Sequence, residues 1–126
     1  MLYNMLCLAL GGASGALARH FVGAGVLHFT GWQGHWGTFL VNFSGCVIMG
    51  FVATWVGLYA NWGLALRYFF FTGFLGSYTT FSTYMLENFL LLEKGAVAAG
   101  LFHMVGSVVL GFLGLWAGIY LARLSL

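Results

Sequence analysis

The stretch Thr72-Gly73-Phe74-Leu75-Gly76-Ser77-Tyr78-Thr79-Thr80-Phe81-Ser82-Thr83-Tyr84 decides how this chain is read. Eight of these thirteen residues carry a hydroxyl and two are glycine, yet the run around them, roughly 64 to 92, is apolar. In hydrocarbon every backbone polar group needs an internal partner, and non-helical backbone is tolerated at that depth only against protein or a watery cavity. The stretch from Gly73 to Tyr84 is therefore expected to break a helix in mid-membrane. Breaks of this kind aim half-helix N-termini at anions and freed carbonyls at cations. The other reading is an unbroken helix whose hydroxyls bond back to its own carbonyls.

The rest of the chain supplies the membrane setting. Of 126 residues 62% are hydrophobic and 5% charged, with mean hydropathy +0.99, against roughly 25% charged in a soluble domain. At ~20 apolar residues per crossing, this length holds about four spanning helices and no separate soluble domain. The apolar runs are continuous and Gly-rich rather than alternating, which selects helices over a barrel. One all-α membrane domain, 1–126, is expected, with helices near 2–29, 37–58, 64–92 and 96–123. Between the first two lies an aromatic bend, Thr30-Gly31-Trp32-Gln33-Gly34-His35-Trp36. The N-terminus lacks a basic region and runs apolar too far for a cleavable signal, so the first helix is expected to stay in the mature protein.

Four crossings put both termini on one side. Arg67 and Arg123 then stand on the terminal side, against Lys94 and, if it lies near that interface, Arg19 on the other, so the positive-inside rule gives no orientation. A chain so balanced is expected to insert both ways and to pair as an antiparallel homodimer. Gly11-x-x-x-Gly15 and Gly114-x-x-x-Gly118 have the spacing that lets helix backbones approach closely. A net charge of +2 is too small for a nucleic-acid footprint. Cys7 and Cys46 sit in apolar runs and read as small hydrophobes.

Uncharged donors carry the chemistry. Thr38, Asn42 and Cys46 share one helix face, and His103, Ser107 and Gly111 share another. An Asn inside a bilayer needs a partner, either another helix or a ligand. An anion gripped by Lys or Arg at low dielectric would not leave, whereas amides, hydroxyls and the positive edges of aromatic rings can solvate it without trapping it. Phe81 and Tyr84, three residues apart, offer such edges, although two aromatics at that spacing also suit plain packing. Glu87 is an intramembrane carboxylate, either a proton-coupling group or a hydrogen-bonded structural one. Arg19 either snorkels to the interface or lines a vestibule, and Arg67 anchors a helix end. The four His lack paired ligand spacing for haem or zinc.

Gly37-Thr38-Phe39-Leu40-Val41-Asn42 followed by the 72–84 stretch resembles the Fluc (CrcB) family of fluoride channels. Gly15-Ala16-Leu17-Ala18-Arg19 and Gly106-Ser107 agree with it, so the likeness covers essentially the whole chain. The resemblance implies a non-enzymatic, passive fluoride exporter of the bacterial plasma (inner) membrane. It implies an antiparallel dual-topology homodimer with two pores and strong rejection of chloride. By matching motif positions, Asn42 is the fluoride-coordinating amide and Phe81 the aromatic whose edge meets the ion. Gly76 and Thr79 present backbone carbonyls that, doubled across the dimer axis, hold a structural sodium ion (Na+). Thr38, Thr80, Ser82, Thr83 and Ser107 are polar track or support residues, with Arg19 at a vestibule and Glu87 close to the pore.

There are departures. Tyr84 and His103 are expected among the pore residues, but Tyr84 stands where the family commonly has a second pore Phe, His103 where a Tyr is frequent, and Gly111 where a Ser can occur. The expected partners are fluoride, sodium, a second copy and the lipid bilayer. Two other classes compete: a dual-topology exporter coupled through Glu87, and a membrane subunit that only packs against partners.

Overall fold

Helix α1 runs over Leu2–Thr30 and α2 over Gly34–Tyr59 in a computed structural model that describes residues 1–31 and 34–125. A third helical segment, α3, consists of Leu64–Arg67, Tyr68–Leu75 and Gly76–Tyr78 in unbroken succession. It is followed by α4, Ser82–Glu93, and α5, Val97–Leu124. No strand occurs among the described residues. The helices α1, α2 and α5 are each long and apolar enough to cross a membrane. The shorter α3 and α4 follow one another, separated by residues 79–81.

Glycine ends two of these helices where the backbone turns left-handed. Gly31 takes φ 66° and sends its N–H back to the Leu27 carbonyl at 2.9 Å. Gly95 takes φ 74° and allows α5 to begin within a few residues of α4. In the bend expected over residues 30–36, Trp32 and Gln33 lie outside the described residues, and Gly34, His35 and Trp36 already belong to α2. The earlier start, against an expectation of 37, has a packing reason. The Trp36 ring meets Phe39 at 6.1 Å and Phe102 of α5 at 6.0 Å, so a further helical turn has something to pack on.

Two pairings organise the bundle: α1 lies along α3, and α2 lies along α5. Both depend on glycine. A Cβ on Gly11 would meet the Phe69 carbonyl, and one on Gly15 the Phe74 carbonyl. Gly73 faces them, and its own Cβ would fall 2.7 Å from the Leu8 carbonyl. On the other pair, a Cβ on Gly118 would meet the Val47 carbonyl, and one on Gly50 the Leu115 carbonyl. With no hydrophobic drive between helices in lipid, backbone-to-backbone contact supplies the dispersion that holds them. Outward, the large side chains are apolar, among them Leu10, Phe21, Val108 and Trp116.

The 72–84 stretch differs from its expectation in extent. Helical backbone continues through Gly73 and Gly76, and only Thr79, Thr80 and Phe81 leave it, with Thr79 extended at φ −81°, ψ 160°. The glycine at 73 thus serves contact with α1 rather than the interruption itself. Thr79 Oγ1 bonds back to the Leu75 carbonyl at 3.0 Å, the behaviour expected of hydroxyls in an intact helix. Phe81 lies just outside α4 instead of within it. The wide-turned π segment Tyr68–Leu75 was not foreseen, since Tyr68-Phe69-Phe70-Phe71 is apolar at any helical pitch. Such turns insert a residue without lengthening the helix, and they recur near functional sites. Val41, Leu75 and Tyr78 form the buried centre, directly beneath the interruption.

Candidate functional site

A helix that stops leaves backbone groups unpaired, and here one side chain from α2 takes them up. Asn42 Nδ2 donates to the Thr80 carbonyl at 2.9 Å, and Thr80 N–H donates to Asn42 Oδ1 at 2.8 Å. The amide therefore mimics a strand partner and clasps Thr80, next to the extended Thr79, from both ends. In a continuing helix the Thr80 N–H would have gone to the Gly76 carbonyl, which is freed. Asn42 holds two amide hydrogens, and the clasp uses one. Around the clasp, Arg19 Nη1 approaches the Thr79 carbonyl at 3.4 Å, and Thr80 Oγ1 accepts from Thr83 N–H at 3.4 Å. Ser44 and Tyr78 join their hydroxyls at 2.8 Å below it.

Thr80 also lines two cavities. The first, of about 330 Å³, has Asn42, Cys46, Thr79, Thr80, Phe81, Tyr84 and Ser107 in its wall, with Leu75 and Met49 among its apolar lining. The second, of about 450 Å³, is lined by Arg19, Thr38, Thr80 and Thr83 together with backbone-exposing Gly23 and Gly37. A third, of about 350 Å³, has His35, Glu87 and Lys94. Thr38 Oγ1 donates to Glu87 Oε1 at 2.8 Å, which joins the second region to the third.

The expected residues thus fall into groups. Asn42, Thr80, Phe81, Tyr84 and Ser107 come together in the first cavity, whereas Thr38, Thr83 and Arg19 face the second. Glu87 belongs to the third. Ser82 is exposed at the start of α4, and His103 lies outside all three cavities, 2% exposed in the α4/α5 contact. Phe81 is 72% exposed within this single chain, and its ring centroid stands 6.0 Å from that of Tyr84. The Tyr84 hydroxyl donates to the Met104 carbonyl of α5.

Three polar atoms are buried without a hydrogen-bond partner among the described residues: Ser107 Oγ and Glu87 Oε2 beside the cavities, and His103 Nε2 in the α4/α5 contact. Buried orphans of that kind are costly unless water or an ion visits them. Cys46, read as a small hydrophobe, lines the first cavity, and Gly45 beside it makes room for Thr79, whose methyl a Cβ at 45 would strike. Asn88 was missed altogether. It is 1% exposed and joins Tyr84 to His103; its place one helical turn after Tyr84 was the available signal.

Of the two carbonyls named for a sodium ion, that of Thr79 already accepts from Arg19 Nη1 at 3.4 Å, which leaves that of Gly76. No cluster of three or more His, Cys, Asp or Glu exists among the described residues, but a hard cation is satisfied by neutral carbonyls. Gly76 is exposed, and its carbonyl has lost its helical donor to Asn42.

The sequence pattern of the family described as "CrcB-like protein, Camphor Resistance (CrcB)" matches residues 6–119. A protein of Nitrobacter winogradskyi named "Fluoride-specific ion channel FluC" is 43% identical over 122 residues, 94% of either chain. Others with that name come from Rhodopseudomonas palustris, 39% identical over 118 residues covering 94% of this chain and 95% of that one, and from Rhizobium meliloti, 38% over 120 residues covering 95% and 96%. The family is the one whose likeness was carried by residues 37–42 and 72–84.

Proposed function

The chain belongs to the CrcB family, ion channels rather than enzymes and multi-pass proteins of the bacterial inner membrane, and from this premise we propose that it is a fluoride-selective channel that exports fluoride passively. The observation that carries the reading is the Asn42–Thr80 clasp, placed where Thr80 borders two cavities. The interruption at residues 79–81 lies at mid-membrane depth on this reading. Fluoride passes from the Arg19 side, where a fixed cation raises the local anion concentration, past the hydroxyls of Thr38, Thr80 and Thr83. At the clasp it takes the second Asn42 hydrogen, and beyond it the positive edge of the Phe81 ring, with Ser107 Oγ as a further donor. The N-terminus of α4, opening at Ser82, adds a partial positive charge to the same place. Because none of the donors at the narrow point is ionised, the anion is solvated and released.

The functional form on this reading is an antiparallel dual-topology homodimer with two pores. The even split of Lys and Arg across the helix ends supports it, as does Phe81, which one chain leaves largely uncovered. Gly76 and, once released from Arg19, Thr79 of each copy would hold the sodium ion through their carbonyls, and the ion's contribution is structural, tying the two copies at their helix interruptions.

Purified protein in fluoride-loaded liposomes, followed with a fluoride electrode, tests the reading. Fast electrogenic efflux is expected. Slow, proton-driven flux would instead favour an exporter working through Glu87, and vesicles that keep their fluoride would leave only a packing role. Asn42→Ala should lower flux about a hundredfold, the order of loss when one preorganised donor to an anion is removed. Wild-type rates in that variant would refute its part in the path.

A further inference from the structure

Tyr84 of α4 and His103 of α5, two polar aromatic residues the ion path does not account for, touch each other. Their rings stand 5.2 Å apart, tilted by 57°, and both residues are buried, at 4% and 2% exposure. Between them sits Asn88. Its Nδ2 donates to the Tyr84 carbonyl at 2.9 Å, and its Oδ1 stands 3.0 Å from His103 Nδ1.

This geometry fixes protons as well as positions. A backbone carbonyl only accepts, so the amide nitrogen of Asn88 must face Tyr84 and the amide oxygen must face His103. The imidazole then carries its hydrogen on Nδ1 and donates it to Asn88, which leaves the lone pair on Nε2. Tyr84 is consequently held from three directions. Asn88 takes its carbonyl, the Met104 carbonyl takes its hydroxyl, and the His103 ring packs against its ring. On its far side His103 meets His35 at 5.4 Å, so the imidazole is itself wedged between α2 and α4.

Resting on the channel reading above, we propose that Asn88 and His103 are positioning residues that lock the Tyr84 ring at the wall of the first cavity and so set fluoride throughput and anion discrimination. Edge-on solvation of an anion depends steeply on ring angle, because the ring face repels what the edge attracts. A Phe at 84 would need only packing to hold it. A Tyr brings a hydroxyl that must be satisfied in α5, and the Asn88–His103 pair ties the same turn of α4 to that helix.

The test compares His103→Asn with His103→Gln in fluoride efflux and in fluoride-over-chloride selectivity. Asn places its amide N–H where Nδ1–H stood, whereas Gln reaches past it, so the first variant is expected to stay near wild type. The second should lose throughput about tenfold with weakened selectivity, the lower end of what loosening an outer positioning contact costs. The same pair is then made in a Tyr84→Leu background, where the difference between Asn and Gln should vanish, since there is no ring left to hold. Equal losses in both variants, or an undiminished difference without Tyr84, would overturn the assignment. Failure of the channel reading shows separately, as wild-type vesicles that retain fluoride. In that case the ¹⁵N resonances of His103 still decide the arrangement: Nδ1 protonated and Nε2 bare supports it, and the opposite tautomer refutes it.

Discussion

The helices α3 and α4, on either side of residues 79–81, are held by opposite means. Upstream, α3 lies against α1 through glycine and backbone, with Gly11, Gly15 and Gly73 removing the side chains that would keep the helices apart. Downstream, α4 is tied to α2 and α5 through side chains, by Thr38 to Glu87, Tyr84 to Met104 and Asn88 to His103. The Asn42 clasp sits at the boundary between them. Glycine contacts fix distance and tolerate no insertion, whereas polar contacts fix orientation and present donors. A conduction path needs both, a rigid wall to hold the interruption still and an adjustable polar wall to handle the ion.

The comparison breaks most severely at Gly15. Gly15→Val would drive a branched side chain into the Phe74 carbonyl, and backbone cannot swing aside as a side chain can. A loss of about 3 kcal/mol or more is expected from such overpacking, read as failure to recover monodisperse protein in detergent. If Gly15→Val purified and unfolded like wild type, rigid contact would not be what distinguishes the upstream half.

Gly45→Ala probes the boundary. The added methyl meets the Thr79 methyl, a side chain able to rotate at the expense of its bond to the Leu75 carbonyl. About 2 kcal/mol is expected, together with reduced fluoride flux because Thr79 adjoins the clasp. Unaltered flux would mean that displacing Thr79 does not reach the clasp. Downstream, Thr38→Val removes the donor to Glu87 while keeping the shape, and about 1 kcal/mol is expected, the usual worth of one hydrogen bond between membrane helices. Thermal unfolding in detergent would register either change.

The upstream half was the more legible in the sequence, because glycine spacing and apolar length report packing directly. Gly11 and Gly15 could be paired on one helix face without coordinates. Their partner Gly73 was instead assigned to the interruption, since a glycine in a hydroxyl-rich stretch is equally compatible with a bend and with close approach. Asn42 and Thr80 were both singled out, but not that they bond to each other at both ends, because nothing in their spacing of 38 residues specifies which backbone an amide will meet. Asn88 was overlooked for a similar reason. It stands between Glu87 and a run of Phe and Leu, and only the position of α5 reveals that it faces His103.

The smallest expected effect is at Gly25, on the same helix as Gly11 and Gly15 but with no atom within 4 Å of where a Cβ would stand. Gly25→Ala should change stability by no more than about 1 kcal/mol, and in the favourable direction, since alanine is the better helix former. That neutrality is what the comparison requires, because glycine matters upstream only where another backbone presses on it. A loss at Gly25 as large as at Gly15 would mean that something outside the single chain contacts this face of α1. A second copy packed there is the surface an antiparallel dimer would need, and crosslinking through a cysteine placed at 25 would then distinguish that contact from lipid.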